Sequence, residues 1–402
     1  MSSGRGPNAA VRRHSSLTRL DLVSWAAFAV FATSGVVTPV CLPEISRAMS
    51  TNLAEGGGME TARTFLVLVV VALAGFVAHR WGKKRFLTLG QYLIAAGLLA
   101  MSLAQSCVGV IASLMIVGVG GGLTEALVNP LVLDIHPGDS GKYLNLTNAF
   151  YPVGVMASAL VVGELLATGC EWRSVFRAAA ACALVAGVAF NVSRFPQAAP
   201  PEGASWKLAA GVLASGRFWL YGAVILLGAG VESTLTFWSR SHVETYMPDA
   251  PRAGAAAVAL FAGTMAAGRM LAAKLSGRVS LRTIMIASAL LGLAVGALLP
   301  LATGLASFYA LLAASGLAAA CFWPTILAHA AASLKTDATI LFVMLACLGI
   351  IGFGSAPLLV GAIGDRASLG AGLFVVPCLF AGVIAALAVE WRVSRRAART
   401  GA

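Results

Sequence analysis

Two acidic residues lie inside long nonpolar stretches of the sequence and have polar neighbours. Glu125 precedes Asn129 by four residues, a spacing that places both side chains on one face of a helix. Glu232 is followed by Ser233 in a second stretch of this kind. A carboxyl group away from water can take up and release a proton, because lost hydration disfavours its charged form. Glu125 and Glu232 are therefore candidate proton carriers, and the alternative is that each pairs with a buried basic residue.

Amide and aromatic side chains supply candidates for binding a hydroxyl-rich solute. Asn145 and Asn148 lie about one helical turn apart, and Tyr151 extends the same row. Amide groups both donate and accept hydrogen bonds, which suits hydroxyl groups, and Trp rings can stack against the nonpolar face of a sugar. Asn145 could alternatively cap a helix, and Trp238 could lie at a membrane interface. The predicted substrate-binding residues are Asn129, Asn145, Asn148, Tyr151, Gln91, Trp238 and Trp323.

The sequence lacks the motifs of metal, nucleotide and catalytic sites. Its seven cysteines are scattered singly and form no CxxC pair, which is typical of small buried nonpolar residues. The acidic and histidine residues within 134–139 surround a Pro-Gly pair that favours a turn, so we expect no metal there. There is no GxxxxGK[ST] phosphate loop. We therefore expect no cofactor and no enzymatic activity, and an ion or solute gradient must supply the energy.

The composition indicates that these residues lie in a membrane. The chain has 402 residues, of which 59% are hydrophobic and 11% charged, whereas a soluble domain carries about 25% charged residues. Residues 86–124 and 283–334 contain no Asp, Glu, Lys or Arg, and a helix of about 20 nonpolar residues spans a bilayer. A soluble enzyme, a disordered chain, a collagen and a disulfide scaffold are excluded. Because a helix satisfies its own backbone hydrogen bonds in lipid, we predict an all-α membrane protein.

Nonpolar runs separated by charged, Gly or Pro breaks predict twelve membrane-spanning helices. The predicted spans are 22–43, 59–79, 86–105, 108–133, 143–167, 173–192, 216–238, 254–274, 282–302, 307–332, 338–363 and 369–389. The polar segment 193–215 divides them into two lobes of six helices. The predicted organisation is an N-terminal tail (1–21), a first lobe (22–192), a linker (193–215), a second lobe (216–389) and a C-terminal tail (390–402).

The positions of Lys and Arg orient the spans, because cytoplasmic connections are enriched in them. With the N-terminus inside, most of the 28 Lys and Arg residues lie in cytoplasmic segments. Arg269 is assigned to these segments, and Arg63 and Arg240 to the outer ones. We predict cytoplasmic termini in a bacterial inner membrane, and this distribution explains the net charge of +12 without a nucleic-acid partner.

The two halves also correspond weakly in sequence. Gly122 precedes Pro130 by eight residues in the fourth predicted span, and Gly316 precedes Pro324 by the same spacing in the tenth. Transporter folds are often built from two related halves, with the substrate site near the middle of the membrane where the halves meet. This arrangement predicts a transporter.

The connection between the second and third predicted spans contains a spaced group of glycines and basic residues. Its members are Gly75, His79, Arg80, Gly82, Lys83, Lys84 and Arg85. The group resembles the loop signature of the major facilitator superfamily, with His79 at the position usually held by Asp. The resemblance implies twelve helices in two lobes, with this loop helping to hold the cytoplasmic ends of the lobes together. Alternatively, Lys83, Lys84 and Arg85 act only as membrane anchors.

Further motifs resemble the fucose/glucose–galactose permease branch of that superfamily. The branch has a glutamate four residues before an asparagine, as at Glu125 and Asn129. A Leu-Asn pair then precedes an aromatic residue, as at Asn145 and Phe150. The first predicted span lacks the acidic residue that fucose permease uses there, and Asn148 stands where a His is frequent. The resemblance implies a sugar:proton symporter.

We therefore predict a secondary transporter in which two lobes rock about a central cavity. The favoured activity is proton-coupled symport of a monosaccharide by a monomer, with the lipid bilayer, protons and a sugar as its partners. The alternatives are a proton-coupled exporter of amphipathic compounds on the same fold and, less favoured, a non-transporting membrane sensor. A cavity ringed by Asn, Gln and carboxylates would favour a sugar, and one lined by Met and aromatic residues would favour export.

Overall fold

The protein is helical throughout the part of the chain that the structure describes. The structure, a computed structural model, describes residues 17–136, 140–196, 206–276, 278–334 and 338–400. Side chains are described in these ranges except at residues 75–81, 140–142, 144–145, 206–209, 338–339 and 396–400. Within the described ranges, 12 helical segments are long and nonpolar enough to cross a membrane. This confirms the predicted fold class, and we number the segments as the first to twelfth spans.

The spans agree in number and order with those predicted, and their ends differ by a few residues. The first six are Arg19–Met49, Leu53–Trp81, Lys83–Leu103, Cys107–Ile135, Ser140–Ala167 and Trp172–Val192. A short helix, Trp206–Leu213, lies within the predicted linker. The next three are Gly216–Val243, Pro251–Leu275, and Leu281–Leu298 with the 3-10 turn Leu299–Leu301. The last three are Leu305–Ala319 with Phe322–Leu334, Ala338–Arg366, and Leu369–Gly372 with Val375–Thr400.

The first span is longer at both ends than the predicted 22–43. Thr18 and Asp21 form a capping box, in which the Asp21 N–H donates to Thr18 Oγ1 at 3.2 Å and the Thr18 N–H donates to Asp21 Oδ2 at 2.7 Å. The helix continues past Pro39 and Pro43 and ends at Ser50, which has a φ of 53°. Local capping therefore sets the ends, and internal prolines are tolerated as is usual in membrane helices.

The tenth span is broken, although the sequence predicts a continuous helix over 307–332. Its first piece ends at Ala319 and its second begins at Phe322. Pro324 accounts for the break, because proline has no N–H and its ring clashes with the carbonyl of the residue four positions earlier, here Ala320. Trp323 and Pro324 therefore lie at the start of the second piece rather than in mid-helix.

Glycines allow the backbones of neighbouring helices in the first lobe to come into direct contact. A β-carbon on Gly120 would lie 2.7 Å from the backbone nitrogen of Ile94 in the third span. One on Gly118 would lie 3.1 Å from the carbonyl carbon of Arg63 in the second span. Lipid offers no hydrophobic driving force between helices, so close packing at such small residues holds them together. The fourth span, which carries Glu125, is thereby fixed against the second.

The two lobes meet at the end of the bundle that lies away from residues 19 and 400, which we call the distal end. The backbone N–H groups of Leu53 and Ala54 both donate to the Asp365 carboxylate at 2.8 Å. Thr61 Oγ1 donates to the Gly354 carbonyl at 2.6 Å. Among the described residues, every hydrogen bond and ion pair that joins the lobes lies in the distal half. The structure is therefore closed at the distal end.

Gly57 of the second span provides a test of this closure. A β-carbon on Gly57 would lie 2.7 Å from the Leu358 Cα in the eleventh span, whereas one on Gly58 would meet only the Leu358 Cδ1 at 3.9 Å. We expect Gly57→Ala to lengthen the distance between spin labels at Asn52 and Ala367, measured by double electron–electron resonance in a background without native cysteines. The matched control Gly58→Ala should keep the parent distance. Equal distances in the two variants would contradict the closed contact.

Candidate functional site

A cavity lies between the lobes, directly inside the distal contact. The space inside it that a water-sized molecule can occupy is about 20 Å³, room for about one water, and the first, second, fifth, seventh and eleventh spans contribute to its wall. The lining residues are Gly35, Val36, Pro39, Glu60, Arg63, Tyr151, Val155, Ser233, Thr236, Phe237 and Phe353. The wall thus combines an ion pair and three hydroxyl groups with nonpolar side chains. Both lobes contribute to the wall, as expected for a site whose access alternates between the two sides of a membrane.

The ion pair in the wall joins Glu60 and Arg63 on the second span. Arg63 Nε donates to Glu60 Oε2 at 3.1 Å, and Arg63 Nη2 donates to Glu60 Oε1. Thr64 Oγ1 also donates to Glu60 Oε1 at 3.2 Å. Both charged residues are almost fully buried, with exposures of 3% for Glu60 and 5% for Arg63. A buried charge is tolerated when it is paired and hydrogen-bonded in this way.

Tyr151 connects the charges around the cavity. It lies close enough to Arg63, Glu60, Glu125 and Glu232 to interact electrostatically with all four. Its ring packs against Phe31 at a centroid distance of 5.6 Å. Its hydroxyl has no hydrogen-bond partner among the described residues. The phenol is therefore available to a ligand in the cavity.

Glu125 lies near Tyr151 and has no counter-ion among the described residues. No basic residue in the described part of the chain pairs with it, and no hydrogen bond to its carboxylate is found there. It lies in the Gly-rich part of the fourth span. The alternative that Glu125 pairs with a buried basic residue therefore finds no such partner among the described residues. An unpaired carboxylate inside a membrane is costly, and neutralisation by a proton removes that cost.

Glu232 differs from Glu125 because it has a basic partner. Arg269 Nη2 of the eighth span donates to Glu232 Oε2 at 3.3 Å, and Arg269 also contacts the Met265 sulfur at 3.9 Å. Arg269 was counted from the sequence among the cytoplasmic basic residues, and it lies in the last two turns of the helix Pro251–Leu275. The pair joins two helices of one lobe. It therefore does not bridge the lobes.

The structure brings two of the predicted amides together. Asn148 Nδ2 donates to Asn129 Oδ1 at 2.9 Å, which links the fifth span to the fourth. One helical turn separates Asn129 from Glu125. Nearby, Trp25 stacks on Phe150 with ring centroids 4.8 Å apart. The amide pair therefore lies on the same side of the fourth span as the unpaired acid.

Other predicted ligand residues lie elsewhere. Gln91 is fully buried between the third and fourth spans, where its amide donates to Thr124 Oγ1 at 3.0 Å. Trp238 is also fully buried, and its indole donates to the Pro357 carbonyl at 3.0 Å. Trp323 packs toward Gly349 of the eleventh span. None of these three lines the cavity, and the side chain of Asn145 is outside the described residues.

The basic residues of the loop motif bind within the first lobe. Lys83 Nζ donates to Asp134 Oδ2 at 2.5 Å and to the Pro130 carbonyl at 3.0 Å, and Lys84 Nζ donates to the Ser193 carbonyl at 2.9 Å. Gly82 has a φ of 83°, a conformation that favours glycine, at the turn into the third span. Arg85 is exposed at the start of that span. The side chains of Gly75, His79 and Arg80 lie outside the described residues.

The segment that combines Asp134 with His136 makes ordinary polar contacts. Asp134 binds Lys83, and the buried His136 Nε2 lies 2.8 Å from Asp21 Oδ1. The His136 ring also stacks on Tyr143 at a centroid distance of 3.5 Å. Asp139 is not among the described residues. Within the part of the chain that is described, no group of three His, Cys, Asp or Glu residues is placed to hold a metal ion.

A second cluster of charges closes the distal end. Arg240 is fully buried and pairs with Glu44 of the other lobe, and it lies 3.7 Å from Glu244. Arg47 reaches Asp249 at 2.6 Å and Glu244 at 3.7 Å. Burial raises the pKa of Glu244, and the charges of Arg240 and Arg47 oppose that rise. The sequence assignment of Arg240 to an outer connection is also corrected, because the seventh span continues to Val243.

Glu60, Arg63 and Arg240 were not among the predicted site residues. Arg63 had been counted among the outer basic residues although it lies within the predicted span 59–79, and the observed helix begins at Leu53. A signal for the first pair was present, since a glutamate and an arginine three residues apart lie on one face of a helix. No comparable signal existed for Arg240, whose partner comes from a distant span.

Comparisons with known proteins agree with this architecture. The model of the family described as Major Facilitator Superfamily matches residues 23–249. Membrane protein MosC of Rhizobium meliloti is 23% identical over 353 residues, which cover 86% of this chain and 84% of that protein.

Two solved structures share the fold at low sequence identity. The nucleoside transporter NupG has a TM-score of 0.77 at 14% identity, over 93% of this chain and 98% of its own. A D-xylose-proton symporter has a TM-score of 0.74 at 12% identity, over 93% of this chain and 97% of its own. At these identities the likeness concerns the fold alone.

The buried Arg240 gives a prediction for stability. Glu44→Gln removes its main counter-ion, and uncompensated buried charges cost about 3–5 kcal/mol. We expect a clear fall in Tm of the purified protein, and the double variant Glu44→Gln with Arg240→Met should recover most of it. Glu164→Gln is the matched control, because it breaks an exposed ion pair between the lobes and should change Tm little. An unchanged Tm in Glu44→Gln would contradict the role of the pair.

Proposed function

The chain belongs to the major facilitator superfamily, and from that premise we propose that it is a proton-coupled symporter of a small hydroxyl-rich solute such as a monosaccharide. Members of this superfamily are transporters and not enzymes, so membrane transport itself follows from the family. The solute class and the coupling ion are the proposal. Glu125 carries it, because this acid has no counter-ion among the described residues and lies beside the cavity group.

The proton role follows from the electrostatics of the fourth span. The acids Glu60 and Glu232 each pair with an arginine, which compensates their negative charge in the ligand-free protein. Glu125 lacks such a partner, so a proton is the available way to remove its charge inside the membrane. Protonation from one side and release to the other would accompany each passage of the occupied site. The two lobes can then change the side of the membrane to which the site opens only when Glu125 is neutral or when the site is empty.

The solute class follows from the wall of the cavity. The hydroxyl groups of Tyr151, Ser233 and Thr236 and the guanidinium of Arg63 can hydrogen-bond sugar hydroxyls, and Phe353 offers a face for nonpolar C–H groups. The described lining contains no Met, Asn or Gln, and its aromatic residues are Tyr151, Phe237 and Phe353. The ion pair and the three hydroxyl groups support a polar solute, whereas the aromatic residues would also suit the amphipathic compound of an exporter. Two structural relatives, a nucleoside transporter and a D-xylose-proton symporter, are named for hydroxyl-rich solutes.

The orientation of the closed end follows from the distribution of basic residues. If the termini are cytoplasmic in a bacterial inner membrane, the closed distal end faces outward. Opening the distal end requires Arg240 to leave Glu44 and Leu358 to leave Gly57. A proton gradient directed inward would then drive accumulation by a single chain.

Glu125→Gln tests the proton role. In proteoliposomes, an imposed pH gradient should drive parent protein to accumulate at least one labelled sugar of a panel of monosaccharides. Glu125→Gln should lose this accumulation but keep exchange of the same labelled sugar against its unlabelled form, because exchange needs no net proton movement. Glu164→Gln, at the exposed pair with Arg252, should behave as the parent. Accumulation that survives in Glu125→Gln would overturn the assignment.

Asn129→Ala tests the ligand role of the amide pair. Loss of one hydrogen bond to a bound solute corresponds to about a tenfold rise in KM for exchange. The control Asn52→Ala removes an amide at the distal surface, where it accepts from the Glu55 N–H at 2.7 Å, and should leave KM unchanged. An equal KM in Asn129→Ala and the parent would show that this amide does not contact the solute.

A further inference from the structure

The guanidinium of Arg63 has one nitrogen left for a ligand. Its Nε and Nη2 are occupied by Glu60, and no described residue accepts from its Nη1. The side chain is 6% exposed, and Arg63 is part of the cavity wall. The Nη1 atom is not sealed in protein, so water or a ligand in the cavity can accept a hydrogen bond from it. Arg63 is therefore placed to contact a solute.

The surroundings of Arg63 favour an oxygen anion as its ligand. Charge-assisted hydrogen bonds from a guanidinium to a carboxylate are stronger than those to neutral hydroxyls, and the Nη1 of Arg63 can donate to a carboxylate. The Tyr151 hydroxyl, also without a described partner, lies within electrostatic range of Arg63. Ser233 and Thr236 line the facing wall from the other lobe. A carboxylate at Arg63 and hydroxyl groups along the facing wall would satisfy these donors together.

The charge balance of the pair sets a condition on such binding. Glu60 already neutralises Arg63, so a second carboxylate would leave an uncompensated negative charge in a buried site. The other ionisable groups that face the site are Tyr151, Glu125 and Glu232, and none of them supplies a positive charge. A proton on Glu60 restores the balance, because the substrate carboxylate then takes the place of the Glu60 carboxylate beside Arg63.

We propose that this site takes a sugar acid, a hydroxyl-rich solute with one carboxylate, and that Glu60 accepts a proton as the carboxylate binds Arg63. The proposal rests on the proposed function and names the substrate class of the same site. The proton comes from water and no covalent bond other than the O–H bond is formed. The total charge of the site is the same before and after binding.

A purely structural role for the pair would not require these features. An ion pair between residues three apart on one helix stabilises that helix whichever side it faces. Here the pair faces the cavity between the lobes, with its free nitrogen in a wall that contains Tyr151 and Thr236. If the pair were only structural, replacing it would leave the choice of substrate and its pH dependence unchanged. Binding measurements on such variants therefore distinguish the two roles.

Binding of two probes to the purified full-length protein tests the proposal. D-glucuronate and D-glucose differ by one carboxylate, and their Kd values are measured by thermal-shift titration at pH 5.5 and pH 7.5. We expect D-glucuronate to bind at least about tenfold more tightly than D-glucose at the lower pH and to weaken at the higher pH. D-glucose should bind equally at both. Equal affinity for the two probes would overturn the proposal.

Variants assign the effect to the pair. Arg63→Gln should weaken D-glucuronate binding by about ten- to a hundredfold and spare D-glucose. Glu60→Gln should keep D-glucuronate binding and remove its pH dependence. The double variant Glu60→Gln with Arg63→Gln preserves the charge balance, so it reports the loss of D-glucuronate binding if the single Arg63 variant does not fold. Arg252→Gln, at an exposed ion pair, is the matched control and should respond as the parent.

The outcomes distinguish this proposal from the function on which it rests. Transport of D-glucose that depends on Glu125, together with D-glucuronate binding that Arg63→Gln leaves intact, would contradict the sugar-acid proposal and leave the symporter standing. Failure of the parent to bind or accumulate either probe would contradict both. A Glu60→Gln variant whose D-glucuronate affinity still falls as the pH rises would contradict the proton role of Glu60 alone.

Discussion

The structure depends on the need to compensate every charge that is buried in a low-dielectric membrane. Three arginines inside the helices each have a carboxylate partner: Arg63 has Glu60, Arg269 has Glu232, and Arg240 has Glu44. Glu125 has none among the described residues. A paired charge can stay charged through a transport cycle, whereas an unpaired carboxylate must gain and lose a proton. This difference is what separates the coupling residue from the structural pairs in our account.

The same constraint organises the movement of the lobes. Close helix contacts made through glycines, as at Gly57 and Gly118, need no charge to be moved and hold rigid surfaces together. The pair of Glu44 with Arg240 joins the two lobes, so opening the distal end must separate those charges or expose them to water. Closure and opening therefore carry an electrostatic cost that hydration at the distal surface can offset. The pairs within a lobe can persist in both states.

Nonpolar runs in the sequence predicted the number, order and lobe division of the spans, because the thickness of a bilayer fixes the length of a helix. The finer errors have a common origin. Counting Lys and Arg as markers of topology treats each as a surface residue, so the ion pairs that Arg63, Arg240 and Arg269 make within the bundle were not predicted. Residue type also does not tell which face of a helix meets a neighbour, and so Gln91 and Trp238, both sealed in packing, could not be separated from Tyr151.

Proton exchange at Glu125 in the ligand-free protein is tested most directly by infrared difference spectroscopy of the purified protein as the pH is varied. The account predicts a carbonyl band of a protonated carboxylic acid that gains and loses intensity with pH in the ligand-free protein, and that is missing from Glu125→Gln. A band that persists unchanged in that variant, or a parent protein in which no such band changes with pH, would contradict it.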